Sequence, residues 1–277
     1  IGDIASDNSV TGGENASDVL SLQQIDDYTH NAVNGQLTVI WQSAYEGINR
    51  ANYINQYKTK NPAGVTVNFA GKDALFGETL FLRGYYYFTL VKMFGDVPLF
   101  TDRRLSLSDS KSLKRAPKAD VYKQIEADLT AAIAALPGVQ NEKGRITKFA
   151  AQALLGKVYL YQGKNSQAAA EFAQVNGTPG SVSQYGYSLV ANYNDLWNFS
   201  NKFNSESVLE VSHSAQGSYW GIWGGNADEG NTVNIMVGPR SYVRLNSAFA
   251  PDLPSGWSFN VFTEDFFTFM QGDPRLN

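Results

Sequence analysis

Residues 144–175 read GRITKFAAQALLGKVYLYQGKNSQAAAEFAQV, and this stretch decides the predicted fold. It predicts two antiparallel helices, because two largely apolar segments flank a single glycine, Gly163, at the position of a turn. Asn165 follows the turn and is a favourable capping residue for the second helix. Small and large side chains alternate along both segments, which predicts that the two helices pack closely against each other.

The spacing of these small and large residues matches the tetratricopeptide repeat. That repeat places Leu-Gly, then Tyr three residues later, then Ala and then Phe. The matching residues here are Leu155-Gly156, Tyr159, Ala168 and Phe172. Gly156 and Ala168 leave room for two helix backbones to approach, and the two rings fill the space beside them. A repeat of this kind is a scaffold with a binding surface, so the pattern predicts recognition and not catalysis.

Further helices are predicted earlier in the chain. Residues 36–57 and 72–94 carry apolar side chains at helical spacing, and the second segment is apolar on most of its surface. Gly84 and Tyr87 have the same separation as Gly156 and Tyr159, so residues 72–94 are predicted to open a second, divergent repeat. Its partner helix is predicted over residues 117–136, after an insertion.

Composition restricts the class of partner. The chain has 277 residues, of which 17% are charged and 13% aromatic, with a net charge of −4. A charged fraction below the roughly 25% of typical domains implies a surface of uncharged polar groups, which suits neutral, hydroxyl-rich ligands. The chain has no cluster of basic residues, which argues against nucleic acid. The lack of cysteine excludes disulfides, a thiolate nucleophile and a cysteine zinc site.

The last third of the chain differs in character, since it holds four of the five tryptophans among loops rich in Gly and Asn. Residues 207–213 alternate apolar and polar side chains and predict a strand. We therefore predict a mainly α fold divided near residue 180. Residues 1–180 form an N-terminal cover loop and a tetratricopeptide-like scaffold. Residues 181–277 form an aromatic, loop-rich region with minor β structure that packs on that scaffold.

Motifs spread along the whole chain support a more specific interpretation. They are SDN and GG within residues 6–13, WQSAYEGINRANYI at 41–54, ETLFLRGYYYFTLVKMFGDVPLF at 78–100, VYKQIEADLTAAIAALP at 121–137, GRITKFAAQALLGKVYLYQGK at 144–164, YNDLW at 193–197, SESVLEVSHS at 205–214 and GDPRL at 272–276. Together, in this order, they resemble the SusD/RagB-like glycan-binding lipoproteins of the outer membrane in Bacteroidetes-type bacteria.

This resemblance implies a function, a location and partners. Members of the family capture oligosaccharides at the cell surface, lie as a lid over a SusC-like TonB-dependent transporter, and are not enzymes. They are lipid-anchored, which here implies an anchoring cysteine upstream of Ile1. They are usually longer, and GDPRL falls in mid-chain, so the resemblance also implies a missing C-terminal portion as a further partner.

Residues 217–231, which we call the aromatic segment, are the main candidate binding site. The segment reads GSYWGIWGGNADEGN and combines rings with polar side chains. Flat sugar faces stack on such rings while sugar hydroxyls bond to amides and carboxylates, as expected of a mixed apolar and polar ligand site. The alternative is that the rings only pin the loop to the core. The candidate residues are Tyr219, Trp220, Trp223, Asn226 and Asp228.

Three other residues are weaker candidates for the same site. Trp257 is a candidate stacking ring by the same reasoning, and Asp7 and Asn8 could line the pocket by resemblance to the family's early loop. A turn or capping role for Asp7 and Asn8 remains open. Trp41 and Trp197 are predicted to be structural.

No catalytic residue, metal or cofactor is predicted. The sequence Asn226-x-Asp228-x-Gly230 is a fragment of a calcium loop without its closing glutamate, and His30 and His213 are isolated. The adjacent acids Asp26-Asp27 and Glu264-Asp265 point about 100° apart on a helix, so neither pair converges as glycosidase acids must.

Two other classes of function remain open from the sequence. A tetratricopeptide scaffold that binds a protein or peptide would show a concave helical groove and no carbohydrate affinity. A helical glycoside hydrolase or lyase would release reducing ends from a polysaccharide. The sequence does not identify the glycan, because stacking rings indicate that a flat sugar face is bound but do not distinguish one glycosidic linkage from another.

Overall fold

The computed structural model describes residues 1–15, 17–213, 233–246 and 249–274, and over these residues the protein is mainly α-helical, as predicted. The helices are α1 (Leu20–Asp26), α2 (Gly35–Gln56), α3 (Lys72–Phe94), α4 (Leu107–Ser110), α5 (Lys118–Ala135), α6 (Lys148–Tyr161), α7 (Asn165–Asn176), α8 (Val233–Val237) and α9 (Glu264–Phe269). Short 3-10 helices lie at Tyr193–Trp197 and Phe199–Asn201. No helix in the described ranges has the length and apolar character needed to cross a membrane.

The β structure is minor, as predicted. Strand β1 (Ser9–Val10) pairs antiparallel with β4 (Val261–Phe262), and β2 (Val97–Pro98) pairs antiparallel with β3 (Arg115–Ala116). The second pair closes the insertion between α3 and α5 into a loop. The first pair joins two segments that are about 250 residues apart in the sequence.

Side-chain caps account for several helix starts. The Asn34 side-chain oxygen accepts hydrogen bonds from the backbone N–H groups of Gln36 and Leu37 at the start of α2. Thr147 caps α6 in the same way, and Thr263 caps α9. At α7, however, Asn165 is the first helical residue and Lys164 holds the cap position, so the predicted Asn165 cap is wrong by one residue.

The contacts divide the chain into two units. The first unit comprises residues 1–40 and 213–277, and the second comprises residues 41–212. The predicted division near residue 180 concerns folding domains and stays a prediction. Residues 177–212 belong to the second unit, where the Tyr185 ring stacks on Phe149 with ring centroids 3.6 Å apart.

The second unit has the core of a tetratricopeptide-like stack. Helix α3 packs along α5, α5 packs on α6, and α6 packs on α7. The predicted helix pairs α3/α5 and α6/α7 are therefore present. The core side chains that exclude water completely are Ile48, Tyr87, Leu90, Val97, Val121, Ile125, Leu129, Ala132, Ala151 and Val158.

A buried ion pair lies inside this stack and ties three helices to the insertion. The Arg83 guanidinium of α3 donates two hydrogen bonds, of 2.7 and 2.6 Å, to the Asp128 carboxylate of α5. It also donates to the Asn52 side-chain oxygen of α2 at 2.8 Å and to the Thr101 carbonyl at 2.9 Å. Gln124 donates a further bond to Asp128 at 2.8 Å. Every strong polar group of the pair is thus satisfied, as burial requires.

The buried Tyr87 of α3 also holds the insertion between α3 and α5 in place. The Tyr87 hydroxyl donates to the Phe100 carbonyl at 2.7 Å and accepts from the Phe100 N–H at 2.9 Å. Burial raises the pKa of Tyr87 well above its usual range, so the hydroxyl stays protonated and keeps both bonds. The insertion is therefore held to the helices by polar contacts as well as by packing.

The predicted strand over residues 207–213 is absent. Leu209 and Val211 do alternate with polar residues, but the segment has no strand partner within the described residues. Its polar groups instead hold a loop together, since Glu210 accepts hydrogen bonds from the Phe203 N–H and the Ser207 hydroxyl. Alternating apolar and polar residues form a strand only where a neighbouring strand can hydrogen-bond to them. A local sequence pattern does not show whether such a neighbour exists.

The close approach of α6 and α7 gives a testable prediction. A Cβ atom at Gly156 would lie 2.7 Å from Cε1 of the Phe172 ring. We expect Gly156→Ala to lower the free energy of unfolding by about 1–3 kcal/mol through overpacking. This is opposite in sign to the gain of up to about 1 kcal/mol that Ala brings to an open helix position. Urea unfolding of the purified protein measures the change.

Phe172→Leu supplies the control for this prediction, because it removes the ring that the new methyl group meets. The cost of Gly156→Ala should shrink in that background. A stabilising Gly156→Ala change in the original background would show that the two helices are not in close contact.

Candidate functional site

The aromatic segment lies outside the described residues, and with it Tyr219, Trp220, Trp223, Asn226 and Asp228. Their role in binding stays a prediction. The chain on both sides of the segment is described, with His213 before it and α8 after it. The contacts of α8 therefore show which residues lie beside the chain just after the segment ends.

Backbone hydrogen bonds hold α8 beside Trp257. The Trp257 N–H donates to the Ile235 carbonyl at 2.6 Å, and the Phe259 N–H donates to the Met236 carbonyl at 2.7 Å. The Ser258 N–H donates to the Gly238 carbonyl at 2.9 Å. The chain that follows the aromatic segment is thus tied to the stretch around Trp257, another candidate residue.

The Trp257 side chain is half-buried and contributes to the core of the first unit. Its ring lies 5.5 Å from that of Phe259, at a tilt of 40°. Both pack into a small cluster with Ile4 and Leu22. Trp257 therefore has a structural role in the first unit, and its role as a stacking ring stays a prediction.

Asp7 and Asn8 lie next to the same stretch. The Thr263 hydroxyl donates to the Asp7 carbonyl at 3.0 Å, and the Thr263 N–H donates to the Asn8 carbonyl at 3.1 Å. Both residues are exposed, and within the described residues neither side chain makes a hydrogen bond. The structure thus brings Asp7 and Asn8 together with the stretch from Trp257 to Thr263, and leaves a carboxylate and an amide open to solvent.

Arg240 joins the N-terminal loop to the stretch around Ser258 through hydrogen bonds, which we call the Arg240 clamp. The sequence alone does not mark Arg240 as important. Its guanidinium donates to Asp18 at 2.7 Å and to Glu14 at 3.0 Å. Its backbone N–H donates to the Ser258 hydroxyl at 2.7 Å. These partners are 18 to 226 residues away in the sequence, so no local signal could have revealed the clamp.

Three of the described acids in the first unit stabilise its fold. Asp26 accepts a hydrogen bond from the Thr11 N–H at 2.8 Å. Glu264 and Asp265 lie in the first turn of α9, where negative charge favours the helix. Within the described residues no group of three or more His, Asp or Glu side chains is placed to hold a metal ion.

A cavity of about 460 Å³ lies in the second unit between α2 and the insertion. Its apolar wall is built by Trp41, Tyr45, Pro98, Phe100, Leu105 and Leu113. Trp41 packs edge-on against Phe94 at 5.1 Å, which confirms its predicted structural role. The Tyr45 hydroxyl donates to the Pro98 carbonyl at 2.8 Å, and burial raises the pKa of Tyr45 above its usual range.

The structural role predicted for Trp197 is wrong. Its side chain is 74% exposed, and its ring meets that of Tyr193 edge-on at 6.1 Å. Trp197 ends a 3-10 helix at the surface, so no core is available to it there. The sequence does not show which side of a short helix faces solvent, so the exposure of Trp197 is not predictable from it.

Comparison with known proteins identifies what this chain is similar to. A family model described as "Starch-binding associating with outer membrane" matches residues 1–160. A solved structure of a laminarin binding SusD-like protein is 47% identical, with a TM-score of 0.89, and covers 99% of this chain and 58% of that one. Surface glycan-binding protein A from Bacteroides uniformis shares the fold, with a TM-score of 0.76 at 21% identity over 98% of this chain and 55% of that one.

Curated relatives show the same similarity over a shorter span. SusD-like protein P2 from Formosa agariphila is 31% identical over 153 residues, which is 55% of this chain and 29% of that protein. A SusD-like protein from Bacteroides ovatus is 29% identical over 68% of this chain and 35% of that protein. The aligned part of the chain thus spans about a third of the length of these curated relatives.

Proposed function

This chain belongs to the SusD-like family, and from that premise we propose that it captures neutral oligosaccharides at the surface of the outer membrane without cleaving them. The observation that carries the proposal is the similarity to the laminarin binding SusD-like protein, at 47% identity over 99% of this chain. Laminarin is accordingly the first ligand to test. The low charge and abundant rings of the chain support a neutral glycan.

We assign the binding site to the aromatic segment and its frame in the first unit. Tyr219, Trp220 and Trp223 supply stacking rings, and Asn226 and Asp228 supply hydrogen bonds. Trp257, Asp7 and Asn8 complete the set. The assignment is supported by the backbone bonds that hold α8 beside Trp257 and by the exposed side chains of Asp7 and Asn8, whose backbone carbonyls bond to Thr263.

Three further features belong to the proposal. The bound glycan passes to a SusC-like TonB-dependent transporter. A lipid on an upstream cysteine holds the protein at the outer membrane. A further C-terminal portion of the same protein packs with this chain. Support comes from the family match and from the share of the laminarin binding structure that this chain spans, which is 58%.

Affinity electrophoresis tests the proposed ligand class. The purified protein is run in native gels that contain laminarin, starch or a polyanionic glycan such as alginate. We expect retardation by laminarin or another neutral glycan and none by the polyanion, because the chain carries a net charge of −4. Retardation by the polyanion alone would contradict the proposal, as would unchanged migration in every gel.

A further inference from the structure

We propose that the second unit carries an additional carbohydrate-contact surface, formed by Trp197 and Phe199 and the polar cavity beside them. This inference rests on the proposed function, because it assumes a glycan ligand, and it adds a site separate from the aromatic segment. All of its residues lie in the second unit and within the described part of the chain.

Two exposed rings form the apolar part of this surface. Trp197 ends one 3-10 helix and Phe199 begins the next, and their side chains are 74% and 80% exposed. Neighbouring large apolar side chains left in solvent signal an interaction site, and tryptophan is the side chain that most often dominates such sites. The Tyr193 ring, edge-on to Trp197, supports the indole from one side.

A polar cavity of about 470 Å³ lies against the two 3-10 helices that carry these rings, and Leu196 and Asn198, the neighbours of Trp197 in the sequence, both line it. The volume is within the range of small-ligand sites, about 300–1,000 Å³. Most of its lining is polar. Its polar lining includes the side chains of Asn198, Asn201, Asn204, Glu206 and Glu210.

The cavity wall is held in place by its own side chains. Asn198 accepts from the Ser200 N–H at 3.0 Å, Glu206 accepts from the Val190 N–H at 2.8 Å, and Glu210 accepts from the Phe203 N–H at 2.7 Å. These bonds use one oxygen of each carboxylate. Within the described part of the chain, the second oxygen of Glu206 and Glu210 accepts no hydrogen bond, so the wall is organised while acceptors remain for a ligand.

The charges and shapes of this surface favour a neutral sugar over other ligands. Two carboxylates oppose a polyanion, while Lys202, whose ammonium lies 4.1 Å from the centre of the Phe199 ring, opposes a polycation. A protein partner would prefer an apolar hot-spot pocket. A ring platform next to amide and carboxylate acceptors fits the stacking face and the hydroxyls of a sugar.

Titration with laminarin in affinity gels tests this surface with the variants Trp197→Ala and Phe199→Ala. Because both side chains are exposed, both variants should fold, and unfolding curves check this. We expect Trp197→Ala to weaken laminarin binding about tenfold or less, since it removes one of two contact sites. Tyr85→Ala is the control, because Tyr85 is an exposed ring on α3, a helix that contributes no residue to the cavity lining. It should leave binding unchanged.

A second comparison separates the two sites. The double variant Trp220→Ala/Trp223→Ala should retain weak binding to laminarin, and adding Trp197→Ala should abolish it. If wild-type protein binds laminarin but Trp197→Ala and Phe199→Ala bind equally well, this inference fails while the proposed function stands. Loss of a protein partner in Trp197→Ala with unchanged glycan binding also overturns it. If wild-type protein binds no neutral glycan, both proposals fail together.

Discussion

Replacing Arg83 with methionine is expected to lower the free energy of unfolding by about 3–5 kcal/mol, the range for breaking a buried ion pair on one side. The Arg83 and Asp128 side chains are only 7% and 3% exposed. Methionine removes the cation and leaves the Asp128 carboxylate, the Asn52 oxygen and the Thr101 carbonyl without their shared donor. Each buried acceptor left without a donor carries a desolvation penalty.

Chemical denaturation followed by circular dichroism measures this change. Arg50→Met is the matched control, because the ion pair of Arg50 with Glu46 on α2 is exposed and contributes about 0–1 kcal/mol. Arg83→Met/Asp128→Leu should regain much of the lost stability, since the uncompensated charge is gone. Equal effects of Arg83→Met and Arg50→Met would show that the buried network does not hold the stack together.

Trp220→Ala and Trp223→Ala are expected to weaken laminarin binding about 30-fold each, as loss of a tryptophan hot spot of about 2 kcal/mol implies. Each change removes a flat ring at a position outside residues 41–212, which form the helical stack of the second unit, and unfolding curves check that each variant folds. Calorimetric titration with laminarin measures the affinities of the variants.

Trp220→Phe and Trp223→Phe provide the controls, because phenylalanine keeps a flat apolar face of smaller area. We expect these variants to lose less than the alanine variants. Unchanged laminarin binding in both alanine variants would falsify the assignment of the site to the aromatic segment, without bearing on whether the protein binds glycans elsewhere.

The helices could be predicted from the sequence because their signals are local. The segment predicted over 72–94 is α3 at Lys72–Phe94, and the segment predicted over 36–57 is α2 at Gly35–Gln56. In both, apolar spacing over five or more turns outweighs any competing pattern. Gly156 also lies against the Phe172 ring, as the repeat spacing predicts.

Two of the wrong predictions concern features that depend on distant partners. Residues 207–213 have the alternation of a strand but no neighbouring strand among the described residues, and a strand is stable only within a sheet. Trp197 was read as structural, yet its exposure is decided by what packs across from a short 3-10 helix. Neither property is encoded within a window of ten residues.

The arrangement of Asp7, Asn8 and Trp257 in the first unit could not be predicted either, for the same reason. Asp7 and Asn8 became candidates by resemblance and Trp257 by its ring, but nothing local in the sequence places them together. Their proximity depends on the pairing of β1 with β4, two residues long on each side, and on the clamp of Arg240. Such short pairings across more than 200 residues have no periodic signature.

The central claim is that this chain carries a ring-bearing site that binds neutral glycan without cutting it. Isothermal titration of the wild-type protein with laminarin tests this claim most directly, because one trace reports both binding and turnover. We predict a saturable heat of binding after which each injection returns to the original baseline. Absence of saturable heat would contradict binding, and a baseline that stays displaced while laminarin is consumed would reveal an enzyme.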